Sequence, residues 1–222
     1  MATPSPPRPT VVVHELYTSI QGESSFAGLP CTFVRLTGCN LRCRWCDTTH
    51  AFHGGRRRPV DEVAEEALRT GTPLVLVTGG EPLLQPGTLP LLERLCEAER
   101  TVLLETSGER DVSKVDPRVR RIVDLKAPGS GESARNRWAN LRHLTRRDEV
   151  KMVLTDERDY QWARDVVRRE RLADRVGQVL FSPAWGELDP ATLCAWVLRD
   201  GLPVRVQLQL HKVIWGAEAR GV

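Results

Sequence analysis

The chain has 222 residues, 41% of them hydrophobic, and a formal net charge of +3, which is an ordinary composition for a one-domain globular protein. No apolar run is long enough to span a membrane and no signal-peptide core is present, so we expect a cytoplasmic protein without membrane attachment. Arginine is scattered among acidic residues, as in RDVVRRERLADR, which argues against nucleic-acid binding.

The first ten residues, MATPSPPRPT, are rich in proline and are predicted to form a disordered leader before a single domain over 11–222. Beyond them, short apolar runs are typical of strands that are buried on both faces. In chain order, the predicted strands are 31–36, 74–78, 101–106, 121–126, 149–154, 178–181 and 204–210.

Helical patterns lie between several of these strands. Apolar residues recur at helical spacing within 60–68, 91–95, 160–167 and 193–197, and the Asp-Pro pair at Asp189 predicts the start of the last helix. Repeated strand–helix units predict a mostly parallel sheet, and there are too few of them for a complete eight-stranded barrel. We therefore expect an α/β fold with an open or incomplete (β/α) barrel.

Residues suited to chemistry follow the predicted strands. A cysteine-rich loop follows 31–36, GGEP follows 74–78, SG follows 101–106, and APGSG, SP and HK follow later strands. Because the carboxyl ends of parallel strands meet at one edge of a sheet, these loops are expected to build a single site.

Three of the six cysteines, Cys39, Cys43 and Cys46, lie close together in TGCNLRCRWCDTTH. Soft thiolates suit zinc or an iron–sulfur cluster, and His50 could complete a Cys₃His zinc site. However, structural zinc sites usually divide their ligands between two pairs, whereas three thiolates leave one iron of a [4Fe–4S] cluster open. The other cysteines stand alone and are expected to be buried structural residues: Cys31, Cys96 and Cys194.

The CxxxCxxC spacing resembles the signature of radical S-adenosylmethionine (SAM) enzymes. With YTSIQGESSF, VTGGEPLLQ, LLETSG, DLKAPGSGE and LQLHKVIWGAEARGV, the chain resembles the 7-carboxy-7-deazaguanine synthase (QueE) family from His14 to Val222. The resemblance implies a modified, incomplete barrel that forms a homodimer. It implies conversion of 6-carboxy-5,6,7,8-tetrahydropterin to 7-carboxy-7-deazaguanine and ammonia, toward queuosine, with electrons from a donor such as flavodoxin or ferredoxin.

The resemblance also implies roles for individual residues. Cys39, Cys43 and Cys46 would hold the [4Fe–4S] cluster, and Thr48 would bind Mg²⁺. The residues implied to bind SAM are Trp45, Cys46, Asp47, Gly80, Glu81, Glu105, Ser107, Asp124, Leu125, Lys126 and Ser182. The residues implied to bind the pterin are Ile20, Gln21, Gly22, Glu23, Arg35, Thr78, His211 and Val222.

Arg35 has support of its own, because it is a charged residue within the apolar run FVRL. An unpaired charge would be costly to bury there, so we expect its guanidinium to pair with the substrate carboxylate. Glu23 is expected to accept hydrogen bonds from the amino and ring N–H groups of the pterin. One residue departs from the family pattern: Ser24 replaces the usual glycine in QGES, and serine adopts a positive φ less readily. Trp215 is expected in the core.

Two other functions fit parts of the sequence. A different small radical SAM enzyme, such as an activase that makes a glycyl radical on a partner, would share the cysteines and GGEP but leave SIQGE without a role. A Cys₃His zinc-binding module, which is not an enzyme, would leave TGGEP and DLK without a role.

Overall fold

The computed structural model describes residues 8–222, and its main feature is one nine-stranded sheet. The strands are β1 Thr10–Ile20, β2 Pro30–Leu36, β3 Arg56–Pro59, β4 Leu74–Gly79, β5 Thr101–Thr106, β6 Arg120–Asp124, β7 Glu149–Leu154, β8 Gln178–Pro183 and β9 Arg205–Val206. Their order in the sheet is β3-β1-β2-β4-β5-β6-β7-β8-β9. Strands β2 and β4 to β9 pair in parallel, whereas β1 is antiparallel to both of its neighbours. The predicted open, mostly parallel α/β fold is confirmed.

Six α-helices connect and flank the strands in the described part of the chain. They are α1 Val60–Arg69, α2 Thr88–Cys96, α3 Glu157–Glu170, α4 Leu172–Arg175, α5 Pro190–Asp200 and α6 Leu210–Trp215. The four predicted apolar stripes lie on α1, α2, α3 and α5, each of which buries several of its apolar residues. The predicted start of α5 is confirmed, because the Asp189 carboxylate accepts from the Thr192 N–H at 3.0 Å. None of the helices in 8–222 has the length and apolar character needed to cross a membrane.

The two faces of the sheet are covered differently, because successive side chains of a strand point to opposite faces. On one face, residues such as Val34, Val75 and Leu104 pack with the helices in the large core. On the other face, a smaller apolar cluster covers the amino halves of the strands: Cys31, Phe33, Leu74, Leu76, Leu103 and Ile122. The carboxyl halves of the same face are left for polar residues.

The amino edge of the sheet carries a buried ion pair. Arg121, near the start of β6, donates to Asp148, the residue before β7, through Nε at 2.9 Å and Nη2 at 2.6 Å. Their side chains are 7% and 1% exposed. The Asp148 carboxylate also accepts from the Thr145 N–H at 2.7 Å, so both charges are paired and hydrogen-bonded.

Several predictions were wrong in detail. The strand predicted over 204–210 is reduced to Arg205–Val206, and the chain then turns into α6. Trp215 is 40% exposed rather than in the core, and Cys194 is only partly buried. Strands β1 and β3 were not predicted. The leader predicted for 1–10 lies outside the described residues except for its last three, and Thr10 already belongs to β1.

Candidate active site

Polar side chains form a layer on the inner face of the sheet, directly beyond the small apolar cluster. Four of them lie two residues after a member of that cluster on the same strand, as Arg35 follows Phe33 and Glu105 follows Leu103. The layer comprises Arg35, Thr78, Glu105, Asp124, Lys151 and Ser182. Strand period and parallel register therefore gather these residues at the carboxyl edge, where the sequence predicted a single site.

This layer is the floor of a cavity of about 610 Å³, which is large enough for a small organic molecule. Most of the predicted site residues line it: Glu23, Arg35, Cys39, Cys43, Trp45, Cys46, Asp47, Thr48, Thr78, Gly80, Glu105, Ser107, Asp124, Lys126, Ser182 and His211. The other predicted residues lie outside its lining: Ile20, Gln21, Gly22, Glu81, Leu125 and Val222.

The three clustered cysteines lie on the loop after β2 and face the cavity. The Cys46 N–H donates to the Cys43 carbonyl at 3.2 Å, and the Leu41 N–H donates to Cys39 Sγ at 3.4 Å, so backbone contacts shape the loop. Burial raises the pKa of all three thiols, to about 11 for Cys43, while the nearby Lys126 ammonium opposes this shift. The binding of a metal centre would displace the thiol protons.

His50, the candidate fourth zinc ligand, has His14 and Glu15 as its neighbours. Within residues 8–222, no three His, Cys, Asp or Glu side chains converge to hold one metal ion. His50 instead lies 5.3 Å from the His14 ring and 3.8 Å from the Glu15 carboxylate. Three thiols beside a polar cavity fit a [4Fe–4S] cluster, which has one iron for each thiolate and a fourth iron for a small-molecule ligand.

The GGEP turn packs directly on the cysteine loop. A Cβ atom on Gly80 would lie 2.5 Å from the Gly38 carbonyl oxygen and 2.6 Å from Cys39 Cβ, so only glycine fits there. The next residue, Glu81, is fully buried, and its N–H donates to the same Gly38 oxygen at 2.8 Å. Its carboxylate accepts from the Ser107 N–H at 2.7 Å and the Thr106 hydroxyl at 2.8 Å. The structure thus places the Glu81 side chain beneath the turn rather than in the cavity.

A buried lysine lies at the centre of the cavity floor. The Lys151 ammonium donates to Glu23 at 2.7 Å and also to Glu105. Burial raises the pKa of both carboxyls and Lys151 lowers it, with a net decrease for Glu23 and a net increase for Glu105. The two carboxylates in turn hold the pKa of Lys151 well above its usual value despite burial, so it remains an ammonium.

The segment after β9 connects the two sides of the cavity. Gln209 Nε2 donates to Glu23 Oε1 at 2.8 Å and to Asp47 Oδ2 at 3.0 Å. Lys212 pairs with the same Asp47 oxygen at 2.7 Å, and together these contacts outweigh burial and hold the pKa of Asp47 well below its usual range. The Thr48 hydroxyl donates to Asp47 Oδ1 at 3.0 Å, which leaves its oxygen lone pairs for a cation.

Arg35 extends from β2 toward the cavity and is already anchored. Its Nε donates to Glu15 at 2.6 Å and its Nη2 donates to the Tyr17 hydroxyl at 3.2 Å. Nη1 has no hydrogen-bond partner within residues 8–222. The predicted burial of a charge in FVRL is confirmed, but neighbours on β1 provide one ion pair, so a ligand would complete the site rather than create it.

The QGES turn packs against the first residues of α6, Leu210 and His211. A Cβ on Gly22 would lie 2.1 Å from His211 Nδ1, and the Leu210 N–H donates to the Gly22 carbonyl at 2.9 Å. Ser24 keeps a positive φ of 66° and is 2% exposed. Its N–H donates to Gln207 Oε1 at 2.8 Å, so this turn has the glycine-like conformation although the residue is serine.

Sequence reasoning missed several residues that line the cavity: Lys151, Trp185, Gln209 and Lys212. Lys151 had a usable signal, since it is a single charge within the apolar run EVKMVL, as Arg35 is within FVRL. Lys212 belongs to the HK motif, of which only His211 was assigned a role, and Gln209 had no signal, because it lies in a stretch whose alternation predicted a strand.

Comparisons with known proteins identify the family of the chain. A family model described as the radical SAM superfamily matches residues 33–154. The 7-carboxy-7-deazaguanine synthases of Chlorobaculum tepidum and Koribacter versatilis are 49% and 47% identical to the chain. The matches cover 95% of it in each case, and 96% and 99% of the relatives. The solved structure of QueE from Escherichia coli, 23% identical, has a TM-score of 0.72 over 91% of this chain and 95% of that one, which supports the fold. The chain therefore belongs to the 7-carboxy-7-deazaguanine synthase family within the radical SAM superfamily.

Proposed function

We propose that this enzyme converts 6-carboxy-5,6,7,8-tetrahydropterin to 7-carboxy-7-deazaguanine and ammonia. As a radical SAM enzyme it uses a [4Fe–4S] cluster and SAM, which together supply the radical that starts the reaction. The observation that carries the proposal is the cavity itself. Three cysteines, an anchored arginine and the partly buried Glu23 face one space of about 610 Å³.

The chain's own residues divide into two groups around this space. Cys39, Cys43 and Cys46 would hold the cluster, and polar residues at or just beyond the ends of β4, β5, β6 and β8 would hold SAM: Gly80, Ser107, Asp124, Lys126 and Ser182. Glu105, which the resemblance also assigns to SAM, shares the Lys151 ammonium with Glu23 and would face the pterin instead. Glu23 has a lowered pKa, so it remains an anion that accepts from the amino and ring N–H groups of the pterin. His211, which packs on Gly22, would close the same side of the site.

Arg35 would bind the carboxylate of the substrate. Because Glu15 and Tyr17 fix two of its nitrogens, the guanidinium is held in place before the substrate arrives. Thr48 would supply one oxygen ligand to Mg²⁺, and the remaining ligands would come from water or substrate oxygens, as this ion prefers.

The decisive experiment is anaerobic turnover of the carboxy-tetrahydropterin by the cluster-loaded enzyme with SAM, dithionite and Mg²⁺. We expect formation of 7-carboxy-7-deazaguanine by the wild-type protein and none by Cys43→Ala. Absence of product, with SAM still cleaved by the wild-type protein, would overturn the proposed substrate.

Arg35 provides a sharper test of the substrate orientation. Arg35→Ala is expected to lower kcat/KM by an amount that corresponds to a loss of about 2–4 kcal/mol of transition-state stabilisation. Arg35→Lys is expected to raise KM, because lysine cannot reproduce the guanidinium geometry. SAM cleavage without pterin should persist in both variants. A wild-type KM in both would contradict the proposed role.

We also infer an electron donor such as flavodoxin or ferredoxin, a cytoplasmic location where thiols stay reduced, and a homodimer. The apolar side chains exposed on α6, Val213, Ile214 and Trp215, are surface that a second copy would cover. Analytical ultracentrifugation tests the dimer. A monomer at all concentrations would exclude it.

A further inference from the structure

Lys151 is the one buried group on the cavity floor to which neither the resemblance nor the preceding roles give a task. It lies in the middle of β7, opposite Asp124 of β6, and its side chain is 8% exposed. A lysine in this position is costly unless its charge is paired, and here it is paired twice.

The two partners come from distant parts of the chain. Glu23 lies in the turn after β1 and Glu105 at the end of β5, and the Lys151 ammonium contacts both. Without this cation, two partly buried carboxylates would face each other across the same space, and like charges so placed do not both ionise easily. The contact therefore favours the ionised form of both carboxylates and determines where they point.

Beside this group, Arg35 is paired with Glu15 and Asp47 with Lys212, and His211 packs on the turn that carries Glu23. The remaining charges leave one excess anion. Glu23, Glu105 and Asp124 face the cavity, while Lys151 and Lys126 oppose them, and Lys126 already pairs with Asp124 at 2.7 Å. Gln207 and Gln209 approach Glu23 from the C-terminal segment as neutral donors. A ligand that offers adjacent N–H donors, rather than an anion, is complementary to such a surface.

We propose, on the basis of the function proposed above, that Lys151 is a positioning residue for the heterocycle. Its ammonium holds Glu23 and Glu105 as a fixed pair of acceptors for the amino and ring N–H edge of the substrate. Lys151 does not take part as an acid or base, since its partners keep it protonated throughout the neutral range.

The test is equilibrium binding of the carboxy-tetrahydropterin to the cluster-loaded, SAM-bound enzyme by anaerobic calorimetry at pH 6 and pH 8. Lys151→Met should weaken binding by roughly tenfold or more, since it leaves the two carboxylates unpaired. The loss should be larger at pH 6 than at pH 8, because a carboxyl that retains its proton donates rather than accepts. Lys151→Arg keeps the charge and should bind within about threefold of the wild-type protein at both pH values.

Arg121→Met is the matched control, since it removes a buried cation from a carboxylate at the opposite edge of the sheet. It should lower the unfolding temperature without a pH-dependent loss of binding. Iron content and SAM cleavage without pterin should match the wild-type protein in both Lys151 variants.

Wild-type affinity in Lys151→Met, or the same pH-dependent loss of binding in Arg121→Met, would overturn the positioning role. If Lys151→Met does not fold, Lys151→Gln replaces it, and equal binding by Lys151→Gln and Lys151→Arg at pH 6 would overturn the proposal. Failure of the wild-type protein to bind or convert the pterin would instead refute the proposed function, and this substrate assignment with it.

Discussion

Replacement of Gly80 by alanine tests whether the GGEP turn shapes the cysteine loop. The added Cβ would lie 2.5 Å from the Gly38 oxygen and 2.6 Å from Cys39 Cβ. Both distances are about 1 Å short of ordinary van der Waals contact, so the two loops must separate. Neither neighbour is the flexible end of a long side chain, and the Glu81 N–H is also bonded to the Gly38 oxygen.

Overpacking of this kind typically costs about 1–3 kcal/mol, which corresponds to a fall of roughly 2–12 °C in the unfolding temperature for a domain of this size. Because the displaced backbone carries Cys39, we expect a second effect, a loss of iron after anaerobic reconstitution. The measurements are the unfolding temperature of the metal-free protein and the iron content per chain.

Gly87→Ala separates the two effects. Its Cβ would meet the Thr10 carbonyl oxygen at 2.2 Å, a similar backbone clash that involves neither the GGEP turn nor the cysteine loop. It should lower the unfolding temperature and leave the iron content unchanged. Full iron content in Gly80→Ala, or an equal loss in Gly87→Ala, would refute the idea that this contact shapes the cluster loop.

Four further predictions concern separate parts of the molecule. Cys39→Ala should abolish the iron–sulfur absorbance and SAM cleavage, whereas Cys31→Ala should keep wild-type iron content. Thr48→Ala should weaken the dependence of turnover on added Mg²⁺ with the cluster intact, and equal turnover after chelation would contradict this. Arg121 and backbone N–H groups outweigh burial and lower the pKa of Asp148, so Asp148→Asn should cost about 3–5 kcal/mol at pH 7. By urea denaturation, this difference should shrink as the pH falls below about 4, where the wild-type carboxylate loses its contribution. Ser24→Ala should lower the unfolding temperature more than Ser24→Gly, because alanine loses the 3.2 Å bond from Phe26 N–H without relief of the positive φ.

The parallel part of the sheet was predictable because its strands are buried on both faces. Runs such as LVLVT and TVLLET are apolar throughout, and the structure has strands at Leu74–Gly79 and Thr101–Thr106. Strand β1 was missed because it interrupts its apolar residues with His14, Glu15 and Thr18, which antiparallel pairing beside the edge strand tolerates.

The end of the last predicted strand depended on tertiary contacts that no local pattern reveals. VRVQLQL alternates as a strand should, yet the chain leaves the sheet after Val206. Gln207 and Gln209 direct their amides to Ser24 and Glu23, residues more than 180 positions away. Most cavity residues on the strands could be predicted from spacing and motif, and His211 could be predicted from the HK motif, whereas Gln209 could not.

The buried ion pair of Arg121 and Asp148 lies at the amino edge of the sheet, and the cavity lies at the carboxyl edge. Changes at the amino edge act on the unfolding equilibrium, and strands of five or six residues separate them from the groups that contact substrate. Effects of mutations so far apart and without shared partners are generally additive. The enzyme can therefore be made more heat-resistant from one edge while its substrate selectivity is altered from the other, and the two sets of substitutions can be selected in parallel and then combined.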